Sequence, residues 1–362
     1  MKVLFAGGGT GGHINPAISI ADYAAAQDEK FEALFIGTMR GLESRLVPKT
    51  GYDIKYIDIA GFDRKHLLKN ISVVKKLLKS RKDCKNIIKE FNPDCVVCTG
   101  GYVSGPVIMA AAKMGVPSLI HEQNVYPGLT VKGSEKYVQY LAVSFDETVN
   151  LMNAKGKCVV TGNPIRTEIL EADKSKARKK LGIDKPFVLV FGGSLGAQKI
   201  NDTMIEVIPR LAEKGDVKLL FGTGDRNFDA VKKAVHTDSS DIEVVPYIDN
   251  MSEVMAAADV VISRSGAITV SELAALGKPS ILIPSPNVVR NHQEQNAREF
   301  EKNGAAEVIT EDELTADVLY TRIISMLEDT KKLDTMSENL IKMAKTDTLP
   351  KIHELMKKMS DR

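Results

Sequence analysis

The chain has 362 residues, enough for two or three domains that each bury a core. Its 49 Lys and Arg oppose 47 Asp and Glu, and a net charge of +2 supplies no overall field for nucleic acid. The four cysteines, Cys84, Cys95, Cys98 and Cys158, are too few for a disulfide framework. No stretch reaches the ~20 apolar residues of a spanning helix, and the opening run Met1 to Ala6 is too short for a signal-peptide core. The expectation is a cytoplasmic protein that meets a membrane only peripherally.

In chain order, apolar runs predict strands at Lys2–Ala6, Ala33–Gly37, Asp53–Ile57, Cys95–Thr99, Ser118–His121, Leu141–Val143 and Cys158–Val160. Helical patterns fit between several of them, at Ala17–Ala26 and Ser104–Met114. Cys95 and Cys98 have a C-x-x-C spacing, but residues three apart on a strand point to opposite faces, and no second pair completes a zinc site. They read as small buried hydrophobes.

The pattern then restarts. Strands are expected at Phe187–Phe191, Val217–Phe221, Glu243–Val245, Val260–Ser263, Ser280–Pro284 and Ala306–Ile309, with a helix across Lys199–Leu211. The fold class is α/β: two Rossmann-like parallel-sheet domains separated by a cleft. The expected division is residues 1–163, then 164–345, with a terminal helix in 346–362 packing back toward the N-terminal domain.

Glycine loops follow the strands. Gly7-Gly-Gly-Thr-Gly-Gly12 satisfies G-x-G-x-x-G, but a dinucleotide site also needs an acid closing the second strand, and here that strand ends in Gly37-Thr38. Gly192-Gly-Ser-Leu-Gly-Ala197 holds the equivalent place in the second half, with Ser194 adding a hydroxyl. Gly222-Thr-Gly224 and Gly100 to Pro106 follow other strands, and Gly266 and Ala267 open a helix that carries Glu272. Such loops admit a nucleotide diphosphate to backbone N–H groups and helix ends. Glu272 reads either as a ribose ligand or as a surface helix residue. No Asp-x-Asp occurs, so a metal-bridged diphosphate is not expected; no metal and no cofactor are predicted.

Six segments carry a resemblance: Gly9 to Pro16, Thr99 to Pro106, His121-Glu-Gln-Asn124, Thr161 to Arg166, Phe191 to Ala197, and Arg264 to Glu272. In this order, over nearly the whole chain, they resemble the MurG family of glycosyltransferases, glycosyltransferase family 28 with the GT-B fold. The resemblance implies inverting, metal-independent transfer of N-acetylglucosamine from UDP-N-acetylglucosamine to the C4 hydroxyl of the muramyl-pentapeptide of lipid I, forming lipid II in peptidoglycan biosynthesis. It implies a donor site in the C-terminal half and an acceptor site in the N-terminal half. Donor contacts fall on Thr10, Gly11, Gly12, Asn124, Arg166, Ser194, Ile248, Ala267, Ile268, Thr269, Val270, Ser271, Glu272, Gln293 and Asn296. It also implies partners in cell-wall synthesis and division, and a place at the cytoplasmic face of the cell membrane.

The reaction needs a base for the acceptor hydroxyl. His13 ends the first glycine loop, and histidine's ordinary pKa near ~6.5 suits that task; capping or packing of the following helix is the alternative. Glu122, at a strand end in the same half, is the rival base. Arg166 and the helix start at Gly266 would stabilise the leaving diphosphate.

Residues 64–82 are strongly basic, with Leu67, Leu68, Ile71, Val74, Leu77 and Leu78 interleaved with Lys75, Lys76 and Lys79. A basic amphipathic helix reads as an anionic membrane contact, or as an ordinary helix with a solvated basic face. Rival functions are another GT-B enzyme (a UDP-N-acetylglucosamine 2-epimerase or glycolipid synthase), an NAD-dependent two-domain dehydrogenase, and a non-catalytic sugar-nucleotide binder.

Overall fold

The computed structural model describes residues 1–59, 70–193 and 196–361, and of these every side chain except those of 70–75 and 289. The chain forms two compact units, Met1–Pro164 with Asp347–Arg362, and Ile165–Thr346.

The first unit is built on seven parallel strands: β1 Lys2–Gly7, β2 Glu32–Gly37, β3 Asp53–Tyr56, β4 Cys95–Gly100, β5 Ser118–Glu122, β6 Tyr140–Val143 and β7 Cys158–Val160. Their order is β3-β2-β1-β4-β5-β6-β7. β1, β4 and the end of β2 are apolar on both faces, as a sheet covered by helices on both sides requires. On one face Val3, Phe5, Cys95 and Val97 pack with Ile14 and Met356. On the other, Leu4, Ala6, Val96 and Cys98 pack with Ile108 and Leu141. The two cysteines of the C-x-x-C spacing thus face opposite ways. Burial pushes the thiols of Cys84 and Cys95 up to about 12 and that of Cys98 up as well, so they pack as small hydrophobes.

The helix Gly11–Gln27 begins at Gly11 rather than at Ala17, and Pro16 lies inside it. Thr10 is extended at its N-cap, so the last two glycines of the first loop already belong to the helix. A proline removes only one intrahelical N–H, and the buried face of Ile14, Ala17, Ile20, Ala21 and Ala24 carries the helix through it. The terminal helix Thr348–Ser360 returns to this unit. Thr348 Oγ1 donates to Thr161 O at 2.7 Å, and Ile352, Leu355, Met356 and Met359 join the β1 face. Each such buried side chain contributes roughly 1.5–3 kcal/mol.

The second unit has six parallel strands: β8 Phe187–Phe191, β9 Lys218–Gly222, β10 Ile242–Val245, β11 Val260–Ser263, β12 Ser280–Leu282 and β13 Glu307–Val308, in the order β10-β9-β8-β11-β12-β13. The helix Gln198–Lys214 lays Ile200, Met204, Val207, Ile208 and Leu211 on this sheet at helical spacing. Among the described residues, no helix is long and apolar enough to cross a membrane.

Candidate active site

In each unit the strand order reverses beside the first strand, between β1 and β4 and between β8 and β11. In open parallel sheets that switch point, at the C-terminal strand ends, is where ligands bind. The glycine loops following β1 and β8 lie there.

In the first unit, His13 is half-buried in the first turn of the helix Gly11–Gln27. Its Nδ1 donates to Gly8 O at 3.1 Å, with Thr10 Oγ1 3.4 Å away. A carbonyl can only accept, so the proton of the neutral ring sits on Nδ1 and the basic nitrogen is Nε2. The His13 carbonyl accepts from Thr99 Oγ1 at 2.6 Å, which ties it to β4. Gly100 has φ +103, and a Cβ there would lie 2.9 Å from His13 Cδ2. The glycine after Thr99 therefore makes room for the imidazole.

Beyond the end of β2, Glu43 turns its carboxylate back onto the first glycine loop. Its carboxylate accepts from Gly9 N at 3.1 Å, Thr38 N at 2.9 Å and Thr38 Oγ1 at 2.8 Å, and the residue is 1% exposed. Gly41 makes room for it, since a Cβ there would lie 2.2 Å from the Glu43 carboxylate; nothing in the local sequence marks this return.

Glu122 ends β5 and is 3% exposed. Oε1 accepts from Asn124 N at 2.9 Å and Asn124 Nδ2 at 3.1 Å, and Oε2 from Gly128 N at 2.7 Å. Burial raises its pKa, and these donors oppose the rise. The carboxylate thus organises the 122–128 turn and orients half-buried Asn124. Beside it, His121 is fully buried, and burial lowers its pKa to about 4. Its Nε2 donates to Gly162 O at 2.8 Å and its Nδ1 accepts from Gln123 Nε2 at 3.0 Å. His121 is a neutral latch between β5 and the end of the unit.

In the second unit, a cavity of about 200 Å³ opens beyond the ends of β8, β9 and β10, lined by Gly193, Gly224, Ile248, Met255, Arg166 and Glu272 among others. Glu272 lies on the helix Ala267–Ala275, whose N-cap, Gly266, offers no side-chain acceptor. Arg166 Nε and Nη2 each donate to Glu272 Oε1 at 3.3 Å. Burial raises the Glu272 pKa while Arg166 pulls it down. Of the remaining positions on this helix, Ile268, Thr269 and Ser271 are half-buried, Ala267 is buried, and Val270 is fully buried.

Asn296 is also wholly buried, and its Nδ2 donates to Ser265 O at 3.2 Å. Ser265 Oγ donates to Gln293 O at 2.8 Å. Gln293 is half-buried; its Oε1 accepts from Ser285 N at 2.9 Å, and its amide NH₂ donates to no described residue. The helix His292–Lys302 thus clamps the loop after β11 through Asn296 and presents Gln293. Within the first unit the structure gathers Thr10, Gly11, Gly12 and His13. Within the second it gathers Arg166, Ile248 and Glu272 on one cavity. Ser194 lies outside the described residues.

The basic segment is described in part. Leu67 and Leu68, and the side chains of Ile71, Val74 and Lys75, lie outside the described residues. The helix Asn70–Phe91 buries Ser80, Cys84 and Ile88 and exposes Leu78, Lys79 and Lys82. Leu78 is 61% exposed, Leu77 is half-buried, and Lys76 Nζ pairs with Asp58 at 2.8 Å.

Residues 3–143 match the glycosyltransferase family 28 N-terminal domain, and residues 187–354 match the glycosyltransferase family 28 C-terminal domain. A relative from Acetivibrio thermocellus is 48% identical over 360 residues, covering 99% of this chain and 98% of its own. It is named UDP-N-acetylglucosamine–N-acetylmuramyl-(pentapeptide) pyrophosphoryl-undecaprenol N-acetylglucosamine transferase. Among solved structures, that of Acinetobacter baumannii MurG superposes with a TM-score of 0.81 at 27% identity, covering 99% of both chains. A UDP-N-acetylglucosamine 2-epimerase from Neisseria meningitidis shares the fold, at a TM-score of 0.67 and 14% identity, with 99% and 100% covered.

Proposed function

The chain belongs to glycosyltransferase family 28, and from that membership we propose that it transfers N-acetylglucosamine from UDP-N-acetylglucosamine to the lipid-linked muramyl-pentapeptide acceptor. The product is lipid II of peptidoglycan synthesis. The acceptor C4 hydroxyl attacks the anomeric carbon, and UDP leaves from the opposite face with inversion.

One observation carries the donor site: a buried carboxylate and an arginine meet on a cavity at the strand ends of the second unit. Without ligand the two charges satisfy each other. With UDP bound, Glu272 accepts from ribose hydroxyls, Arg166 turns to the diphosphate, and the Ile248 backbone meets the uracil edge. The glycine-capped start of the helix Ala267–Ala275 adds oriented N–H groups where charge develops on the leaving group. Gln293 reaches the sugar hydroxyls through its amide NH₂, and Asn296 holds the loop that makes this reach.

His13, rather than Glu122, is the base. The Nδ1 bond to Gly8 O selects Nε2 as the proton acceptor, whereas the Glu122 oxygens are engaged by three donors of their own turn. The exposed Leu78 with Lys79 and Lys82 supports docking of the acceptor half on an anionic membrane surface at the cytoplasmic face.

The test separates chemistry from donor binding. His13→Ala should lower kcat by about 100- to 10,000-fold while calorimetric affinity for UDP-N-acetylglucosamine is unchanged. A His13→Ala enzyme at full rate would move the base elsewhere, and Glu122→Gln would then be the next variant to assay.

A further inference from the structure

The Gly8 carbonyl and the Gly9 N–H belong to one peptide group. On one edge that group accepts from His13 Nδ1 at 3.1 Å, and on the other it donates to Glu43 Oε2 at 3.1 Å. All peptide bonds described are trans, so these two atoms point in opposite directions. A buried carboxylate, a peptide and an imidazole therefore stand in line.

We propose that Glu43 is a positioning residue for His13, acting through the Gly8–Gly9 peptide. The carboxylate draws on the Gly9 N–H and so increases the electron density on the Gly8 carbonyl. That oxygen holds the Nδ1 proton of His13 more firmly, which fixes the ring and makes Nε2 the stronger proton acceptor. Chains of hydrogen bonds polarise one another in this way, most strongly where water is excluded. The task resembles that of a carboxylate orienting a histidine directly, with a peptide interposed.

The surroundings of Glu43 fit this task. It makes no salt bridge with a described residue, and its oxygens accept instead from the Gly9 N–H and from both donors of Thr38. A buried carboxylate is tolerable only with such donors. Gly41 leaves space for it. Tyr102 also lies against the loop, its ring facing Gly9 and its hydroxyl 3.4 Å from Thr38 Oγ1. Both Thr38 donors go to Glu43 Oε1 and Gly9 N goes to Oε2, which makes Thr38 the natural comparison.

This inference rests on His13 as the base, and its test distinguishes the two. In the full chain, Glu43→Gln should lower kcat about 10- to 100-fold, leave the KM for UDP-N-acetylglucosamine unchanged, and move the acidic limb of the kcat profile to lower pH. Thr38→Val should leave that limb in place. A Glu43→Gln enzyme with the original kcat and limb would overturn the proposal. So would equal losses of kcat in both variants with neither limb displaced.

Nitrogen-15 NMR of the histidine-labelled wild-type chain needs no variant to fold. It should find neutral His13 protonated at Nδ1, and the opposite tautomer would overturn the bridge. A His13→Ala enzyme at full rate would remove the base assignment while leaving the tautomer result standing.

Discussion

Arg166 grips one oxygen of Glu272 with two nitrogens, Nε and Nη2, each at 3.3 Å. Glu272 is 6% exposed, and among the described residues Arg166 offsets the cost of burying its charge. Arg166→Ala should weaken UDP binding in calorimetry by about 10- to 100-fold, the size of a lost hydrogen bond to a charged group. Burial favours the protonated carboxyl and Arg166 opposes it. A protonated carboxyl is a poorer acceptor for ribose hydroxyls, so affinity should fall as pH falls. In the variant the fall should begin at higher pH. Unchanged affinity in Arg166→Ala would remove the pair from the donor site.

Gly100→Ala should disable transfer without touching the donor cavity. The new Cβ would press on the His13 ring at 2.9 Å from a backbone with φ +103. Strain of this kind costs about 1–3 kcal/mol. A thermal unfolding scan should show that loss together with a lower kcat, while UDP titration is unaffected. Wild-type kcat in this variant would show that the ring need not sit where it does.

Lys278 gives a pH-dependent stability with a defined sign. It is buried, and its Nζ donates to Ala256 O and to Ala258 O at the end of the helix Met251–Ala257. Burial, helped by Lys174 and Arg178 and opposed by Asp259, lowers its pKa from the ordinary 10.5 to about 7. Between those two values the unfolded chain holds a proton that the folded chain has released. Stability from this group therefore rises with pH across the window and is flat on either side. Urea unfolding of wild type and Lys278→Met should show the difference, wild type minus variant, growing as pH rises from 7 to 10. A pH-independent difference would mean that the lysine stays charged in its site.

Membrane docking should depend on charge and on one exposed leucine. Each basic side chain at an anionic surface contributes about 1 kcal/mol. Lys79→Glu with Lys82→Glu, and separately Leu78→Ser, should weaken co-sedimentation with anionic vesicles, and rising salt should weaken the wild type. Lys76→Glu is less informative, because Lys76 already pairs with Asp58. Binding indifferent to salt and to all these changes would place the membrane contact elsewhere.

Much of this fold could be read from the sequence because its signals are local. A strand, then glycines, then a helix is one continuous stretch, so Gly7 to Gly12 and Gly192 to Ala197 announced themselves. The face opposition of Cys95 and Cys98 followed from the two-residue strand period alone. The helix start at Gly11 was hidden because Pro16 reads as a boundary when the buried face behind it is unknown.

Roles that depend on tertiary approach were not legible. Glu43 lies beyond the strand end where an acid is normally sought, and only the folded turn returns it to Gly9. Asn296 and Glu122 stand in recognisable motifs, yet burial gives their side chains to neighbouring loops. A motif specifies which residues matter more readily than which atoms they touch.

The most direct measurement of the central claim is transfer of radiolabel from UDP-N-acetylglucosamine to a muramyl-pentapeptide pyrophosphoryl-polyprenol, in the presence of EDTA. The account predicts that label moves into the lipid fraction, one sugar per acceptor, and that chelation does not stop it. Label that stays out of the lipid, appearing instead as free sugar or as epimerised donor without any need for acceptor, would contradict it.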